Sequence, residues 1–325
     1  MELSEKYAKR VYERRSFSAA AKELFVSQPA LSATVARLEG ELGFRIFDRS
    51  TTPLALTAEG KIYMEYLFEI AEREGEMERR IRNLSDSGSL AVGGSCYTAY
   101  GLLSGIAGEM KRRHPKVKLS VDMGGEGSFG NLLEKVRSGT LDMMLGYDGD
   151  DKEFERIPLF CEQLGVAMRR ELVPSGAAEY AISAEEFISG NYSQGKLFLS
   201  AEIFSGVEFI RLGRHTSTEK IANEVLRGVK YSDLNVEHAH HTAMHYNLMR
   251  EGLGAVLIAD THLRSADLLD PSIVYFVPKN EISKRTLYLI RRRGTEGNSV
   301  AECFKEIAIS VASGLKQKKE KGDNI

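Results

Sequence analysis

The apolar residues of this chain change their period once, and that change dictates a fold of at least two parts. Before residue 86 they recur three and four apart, as on helices. After DSGSL, a polar, glycine-containing break at 86–90, strand-like runs alternate with helical ones. LAVGGS reads as a strand, TAYGLLSGIAGEMKRRH as a helix stopped by Pro115, KVKLSVDM as a strand, SFGNLLEKVRSG as a helix and LDMMLGY as a strand. Such a βαβαβ run predicts a largely parallel sheet with helices on its faces and a ligand beyond the carboxyl ends of its strands. LGVAMR, KLFLS and VEFIRL predict further strands, TSTEKIANEVLRG a helix, and MHYNLMREGLGAVLIAD a helix passing through Gly252 and Gly254 into a strand. IVYFVP, RTLYLIRR and a helix over 298–316 return to the first unit, ahead of a charged tail.

The first sixty residues predict three short helices. Leu3, Tyr7 and Val11 share one face of the first, and Ser16 or Ser18 can cap the second, AAAKELF. Ser27 then offers a cap to a third helix with Pro29 in its first turn, where a missing N–H leaves nothing unpaired. Leu31, Val35 and Leu38 form its packing side, while Gln28, Ser32, Ala33, Ala36 and Arg37 lie opposite. RIFDRS and PLALT read as two short strands of a wing, with Arg45 and Arg49 placed to meet phosphates. This pattern fits a helix-turn-helix, and it also fits a plain helical hairpin.

The stretch SFSAAAKELFVSQPALSATVARLEGELGFRIFDRS, followed by LTAEG, closely resembles the amino-terminal domain of LysR-type transcriptional regulators. The resemblance implies a winged helix-turn-helix that presents Ser27, Gln28, Pro29, Ser32 and Ala33 to the major groove of promoter DNA, with Arg37, Arg49 and Thr51 completing the DNA-facing set. Where that family often carries basic or larger polar residues, this chain has Ala33, Thr34 and Ala36. Base readout is therefore expected to lean on Gln28, on apolar contact with thymine methyls and on groove shape. Residues 1–65 hold ten Lys and Arg against nine Asp and Glu, so affinity per half-site should be modest and pairing of heads important.

Thr57 can cap a long proline-free helix over 58–85. Tyr63, Ile70, Met77 and Leu84 repeat every seven residues, joined by Leu67 and Ile81, with Glu74 interrupting the second series. Such a stripe suits either a dimer seam or a helix lying on its own domain. In the LysR-type resemblance it is the linker helix through which the chain forms a homodimer or homotetramer. LSVDMGGEG, LEKVRSGTLDMMLGY and LMREGLGAVLI likewise resemble segments of that family's periplasmic-binding-protein-like effector domain. Two α/β lobes sharing two crossovers, with a small-molecule effector in the cleft between them, are what the resemblance implies. By topology and that analogy the expected cleft residues are Ser95, Thr98, Ser128 and Tyr147 from one lobe and Thr216 and Thr242 from the other.

The composition narrows the alternatives. A chain of 325 residues with 42% apolar content predicts two or three domains, and a formal net charge of −2 confines any DNA binding to a local surface. No run approaches the ~20 apolar residues of a membrane span, and the amino terminus lacks the apolar core of a leader, so a soluble, cytoplasmic protein is expected. Cys96, Cys161 and Cys303 show no pairing or metal-ligand spacing. GEGSFG, with Gly125, Gly127 and Gly130 ahead of Asp142 or Asp148, is the best case for the competing class, a cytoplasmic dinucleotide-dependent oxidoreductase. The same glycines also suit a tight turn whose helix N–H groups face the cleft, which favours an anionic effector. His238, His240, His241 and His245 place two imidazoles one helical turn apart, a spacing open to a metal, to hydrogen bonding in the cleft or to packing. No GxSxG elbow or ordered base supports nucleophilic catalysis.

The expected organisation is thus a mainly α winged helix-turn-helix over 1–58, a linker helix over 59–86 and an α/β effector domain over 87–316. Its first lobe spans 87–162 and 266–316, its second 163–265, and a charged tail covers 317–325. The expected role is a DNA-binding regulator rather than an enzyme, with no cofactor and no metal.

Overall fold

The computed structural model describes every residue except 1, 52, 84–87, 95–96, 124–127, 148–151, 211–216, 233–241, 265–269, 296–298 and 322–325. The chain divides into two compact units, one built on residues 1–81 and the other beginning at Arg82.

In the first unit α1 (Leu3–Arg14), α2 (Phe17–Glu23) and α3 (Gln28–Leu42) precede a two-stranded antiparallel wing, β1 (Phe47–Asp48) and β2 (Ala55–Leu56), and the long α4 (Ala58–Asn83). Ser16 is the residue that caps α2, its hydroxyl accepting from the Ala19 N–H at 3.3 Å, and Ser27 caps α3 by accepting from the Ala30 N–H at 3.3 Å. Gly43 closes α3 in the left-handed region, which costs glycine nothing. The core joins Ala8, Val11, Ala20, Ala21, Leu31, Val35 and Leu38 with Ile46, Phe47, Met64 and Leu67. Leu3, expected on the packing face of α1, is instead 63% exposed, because Ser4 and Ala8 turn inward with Val11. Thr57 caps α4, accepting from the Gly60 N–H at 2.9 Å and donating to the Arg45 carbonyl at 2.5 Å. At Gly60 a Cβ would stand 2.0 Å from the Ile46 carbonyl oxygen, so α4 reaches the wing only through a residue without a side chain.

In the second unit β3 (Ser89–Gly94), α5 (Tyr97–Arg113), β4 (Lys118–Asp122), α6 (Ser128–Arg137) and β5 (Met143–Gly146) form the expected βαβαβ run, with β3 parallel to both β4 and β5. β6 (Phe154–Arg169) is the strand that both halves share. Up to Gln163 it pairs antiparallel with the late strand β12, and from Leu164 it pairs antiparallel with β10 and β11. The first half of β6 was not anticipated, because Pro158 interrupts its strand pattern. The sheet accepts that proline at a register shift, where Pro158 faces Tyr288 and Phe160 faces Leu287.

The second half continues through α7 (Ala184–Ser189), β7 (Leu197–Phe198), β8 (Glu208–Phe209), α8 (Ser217–Val225), β9 (Lys230–Tyr231), α9 (Thr242–Arg250) and β10 (Val256–Ala259). Then β11 (Ile273–Pro278) pairs with the second half of β6 and with β7, so IVYFVP stays in the second lobe instead of returning to the first at 266 as expected. The chain crosses back only at β12 (Lys284–Arg292), which lies between β5 and β6, and α10 (Ser299–Lys321) packs beside α5. α10 runs on to Lys321, beyond the end expected at 316, since nothing in KQKK breaks a helix. Both faces of the second half are covered: Leu164, Val166 and Met168 enter one cluster with Phe276, and Ala167 enters another with Phe187 and Tyr275. This is why LGVAMR and IVYFVP read as continuous apolar runs rather than alternating ones. Gly254, at φ +140°, could not be replaced without placing a Cβ 2.7 Å from the Glu208 carbonyl oxygen. Among the described residues no helix is long and apolar enough to cross a membrane.

Candidate DNA-reading surface and effector cleft

The α3 helix buries Leu31, Val35 and Leu38 and leaves Gln28, Pro29, Ala33, Ala36 and Arg37 exposed. Ser32 is half-buried, and the Thr34 hydroxyl donates to the Ala30 carbonyl at 2.9 Å, so it is turned along the helix. Arg37 stands 3.9 Å from Glu41 in an exposed pair that water and salt largely screen. The outward surface is therefore small and nearly uncharged, a shape that lets helix backbone approach bases closely.

Glu39 was missed by sequence reasoning, although it sits four residues after Val35 on the packing side. Its carboxylate is 8% exposed and accepts from the Ile46 N–H at 2.8 Å, the Phe47 N–H at 3.1 Å and the Arg49 guanidinium at 3.1 Å. One side chain of α3 thereby fixes the start of the wing. Arg49, expected simply to meet phosphate, is half committed to Glu39 and lies over the Phe17 ring at 5.1 Å. Thr51 is likewise used inside the wing, donating to the Asp48 carbonyl at 3.2 Å and accepting from the Ala55 N–H at 3.1 Å. Ser50 donates through both its N–H and its hydroxyl to Asp48, and these bonds hold the Asp48 carboxyl below its usual range.

The expected dimer stripe needs correction at its amino-terminal end. Leu67 has no exposed surface and belongs to the core of its own unit, so it is unavailable to a partner. Tyr63 is half-buried there, its hydroxyl donating to Glu5 at 3.3 Å, and burial followed by the Glu5 charge pushes its pKa up to about 12. The apolar residues that α4 does expose are Ile62 at 70%, Tyr66 at 52%, Met77 at 54% and Ile81 at 59%, with Ile70 half-buried. The outward stripe is thus displaced by one residue from the expected seam before Ile70 and coincides with it afterwards. Leu84 lies outside the described residues.

In the second unit the parallel strands β3 and β4 deliver their chain to the amino termini of α5 and α6. Thr98 lies in the first turn of α5, Ser128 opens α6 and Thr242 opens α9, while their side chains, like Ser95 and Thr216, lie outside the described residues. Tyr147, just past β5, carries the Arg285 guanidinium over its ring at 3.8 Å. Arg285 faces Glu162 across the β6 and β12 ladder and donates to its carboxylate at 2.8 Å, and it also donates to the Thr218 hydroxyl in the first turn of α8 at 2.7 Å. Glu162 has no exposed surface and accepts in addition from the Thr261 hydroxyl. Beside it the Gln163 N–H donates to Asp260 at 3.2 Å, and its side-chain amide donates to the Ser283 hydroxyl at 2.8 Å. These groups stitch the two crossovers together where the lobes meet. His262 is buried at the same place, and loss of hydration lowers its pKa to about 4, which keeps the ring neutral. None of Glu162, Thr218, Asp260, Thr261, His262 and Arg285 was anticipated; for Glu162, Asp260 and Arg285 the available signal was a charge beside an apolar strand run.

The structure describes only part of the competing motifs. The Asp142 carboxylate accepts from the Ala91 N–H at 2.8 Å and so belongs to the β3 framework rather than to a ribose. Gly125, Gly127, Asp148, His238, His240, His241 and Cys96 lie outside the described residues, Gly130 faces open space, and His245 is buried in α9. Cys161 and Cys303 are free thiols. Among the described residues no group of three metal-ligating side chains is assembled.

A winged helix with one bare helix face, on the same chain as a two-lobed α/β unit, defines a DNA-binding regulator with a small-molecule domain. Residues 6–61 match the model of the bacterial regulatory helix-turn-helix protein, lysR family, and residues 84–313 match that of the LysR substrate binding domain. The chain is 24% identical over 308 residues to the RuBisCO operon transcriptional regulator of Allochromatium vinosum, covering 94% of each. In fold it is similar to a cysteine-to-serine mutant of Corynebacterium glutamicum OxyR, bound to H2O2, at a TM-score of 0.52 and 17% identity, covering 98% of this chain and 96% of that one. It is also similar to a full-length mutant of BenM at a TM-score of 0.51 and 18% identity, covering 97% of each. The chain therefore belongs to the LysR family of transcriptional regulators. It is a regulator with a DNA-binding and a substrate-binding domain, not an enzyme, and the oxidoreductase alternative falls with that result.

Proposed function

We propose that the protein reads an interrupted dyad in promoter DNA as a cytoplasmic homodimer or homotetramer and responds to a small anionic effector held in the cleft of its second unit. The observation that carries the reading is the bare face of α3, where Gln28, Pro29 and Ala33 are exposed behind a capped amino terminus. Gln28 reads bases, Ser27, Pro29, Ser32 and Ala33 fit the groove, and Arg37, Arg49 and the Thr51 turn align the protein on phosphates. The winged helix takes residues 1–58 and the linker helix 59–86, and the effector domain runs from 87 through α10, with its lobes divided in β6 after Gln163 and again between β11 and β12.

Ser95, Thr98, Ser128, Tyr147, Thr216 and Thr242 are proposed to line the effector site. The amino termini of α5 and α6, at the carboxyl ends of parallel strands, supply a field that favours a carboxylate. Arg285 adds no net charge, because Glu162 balances it. An effector that binds one lobe arrangement more tightly shifts the population towards it, and that preference is the whole of its regulatory power.

Two paired variants separate reading from anchoring. Gln28→Ala should lower affinity for a selected duplex by roughly tenfold while leaving a random duplex unchanged. Arg49→Ala should weaken both duplexes equally, flatten the salt dependence and also lower the melting temperature, since Glu39 loses its cation. Fluorescence anisotropy at several salt concentrations, with a thermal melt alongside, measures all three quantities. Equal losses on both duplexes for Gln28→Ala would remove α3 from base reading.

Met77→Glu and Ile81→Glu should convert the assembly to smaller species and depress DNA binding, since each places a charge on the exposed α4 stripe. Leu67→Glu should instead unfold the first unit, as its side chain is already enclosed. Sedimentation velocity and thermal melting distinguish these results; an Ile81→Glu protein of unchanged size would exclude α4 as the seam.

A further inference from the structure

Phe25 stands in the turn between α2 and α3 and carries two costs with no return inside its own chain. Its backbone is left-handed, at φ +54°, a conformation that bulky side chains rarely adopt. Its ring is 96% exposed, the most exposed large apolar side chain among the described residues. The turn needs the left-handed step: it lets the Val26 N–H donate to the Ala21 carbonyl at 3.0 Å, sets Val26 against the core and brings Ser27 to cap α3. It does not need phenylalanine, because glycine or asparagine takes the same backbone at less cost. Strain and exposure kept together at one position point to a contact that forms only in a complex.

The occupant follows from what adjoins the ring. Phe25 is two residues ahead of Ser27 and continuous with the exposed Gln28 and Pro29, the end of α3 assigned to the major groove. Apart from Arg37, no basic side chain projects from the outward face of α3, so beyond Gln28 its readout leans on apolar contact. We propose that Phe25 is a specificity-determining DNA contact whose ring packs on thymine methyl groups at the edge of the half-site read by α3. The proposal rests on α3 being the reading helix and adds a residue outside that helix to the readout.

The test uses the full-length protein and two probes: a duplex enriched by the wild-type protein from a randomised pool, and an unselected duplex of equal length. Enrichment by the wild-type protein establishes DNA reading first, so failure there is separate from failure at Phe25. Phe25→Asn should raise the melting temperature by a few degrees, as the turn loses its strain, and should bind the selected duplex about tenfold more weakly. Phe25→Ala should show the same loss of affinity without the thermal gain. Neither should change binding to the unselected duplex. Replacing only the thymines at the edge of each half-site by uracil, which removes only methyl groups, should cost the wild-type protein about as much and the variants little further. Wild-type affinity in both variants would overturn the proposal, including where the assembly state alone had changed and a second copy was the true occupant. An equal loss on both duplexes, or no effect of uracil on the wild-type protein, would overturn it as well, by making Phe25 a backbone contact.

Discussion

Arg285→Met is expected to lower the stability of the second unit by about 3–5 kcal/mol, because it leaves the Glu162 carboxylate buried without its cation. The size follows from the enclosure: an exposed ion pair contributes little, whereas a carboxylate with no accessible surface cannot recover its hydration when its partner goes. The same change removes the donor to Thr218 and the cation over Tyr147, so β12 loses its side-chain tie to α8 and its stacking on the residue that follows β5. Urea denaturation should show the loss as a lower midpoint with little change in slope. The paired variant Arg285→Met with Glu162→Leu should recover most of the loss, since two apolar residues of similar size leave no charge stranded. A single variant as stable as the wild-type protein, or a double variant no better than the single, would contradict the assignment.

Glu39→Ala is expected to cost the first unit roughly 3 kcal/mol and to weaken binding to every duplex alike. Two backbone donors, the N–H groups of Ile46 and Phe47, lose their acceptor in a buried place, and each such loss costs about 1–3 kcal/mol. Arg49 loses its positioning partner at the same time, so the wing is no longer held to the helix that reads. Glu39→Gln keeps one carbonyl oxygen as an acceptor and should fall between the two. Thermal melting and anisotropy on selected and random duplexes check this prediction; a loss confined to the selected duplex would mean that Glu39 acts in recognition rather than in support.

The parts legible in the sequence were those written in local period and capping. Ser27, Pro29 and the Leu31, Val35, Leu38 stripe specify α3, and the strand and helix alternation after residue 88 specifies the βαβαβ half, because each depends on neighbours a few positions apart. The contacts that shape the site were not legible in that way. Glu162 and Arg285 are 123 residues apart and meet only through the β6 and β12 register. Leu67 and Tyr66 look alike in a heptad count, yet one is enclosed in the core of its unit and the other faces solvent, a distinction made by how α4 passes Ile46 at Gly60. Glu39 was legible in principle, as a charge on a packing face, and such a residue in a buried stripe should prompt a search for the N–H groups it serves.

The central claim is that paired α3 helices, joined through α4, read a two-fold related DNA site. Selection of full-length protein against a randomised duplex pool, followed by sequencing, tests it most directly. Enrichment of an interrupted dyad whose half-sites lie on one face of the duplex is expected, and it should be lost when Gln28 is alanine. Recovery of an unpaired, asymmetric sequence, or of no enriched sequence, would contradict it.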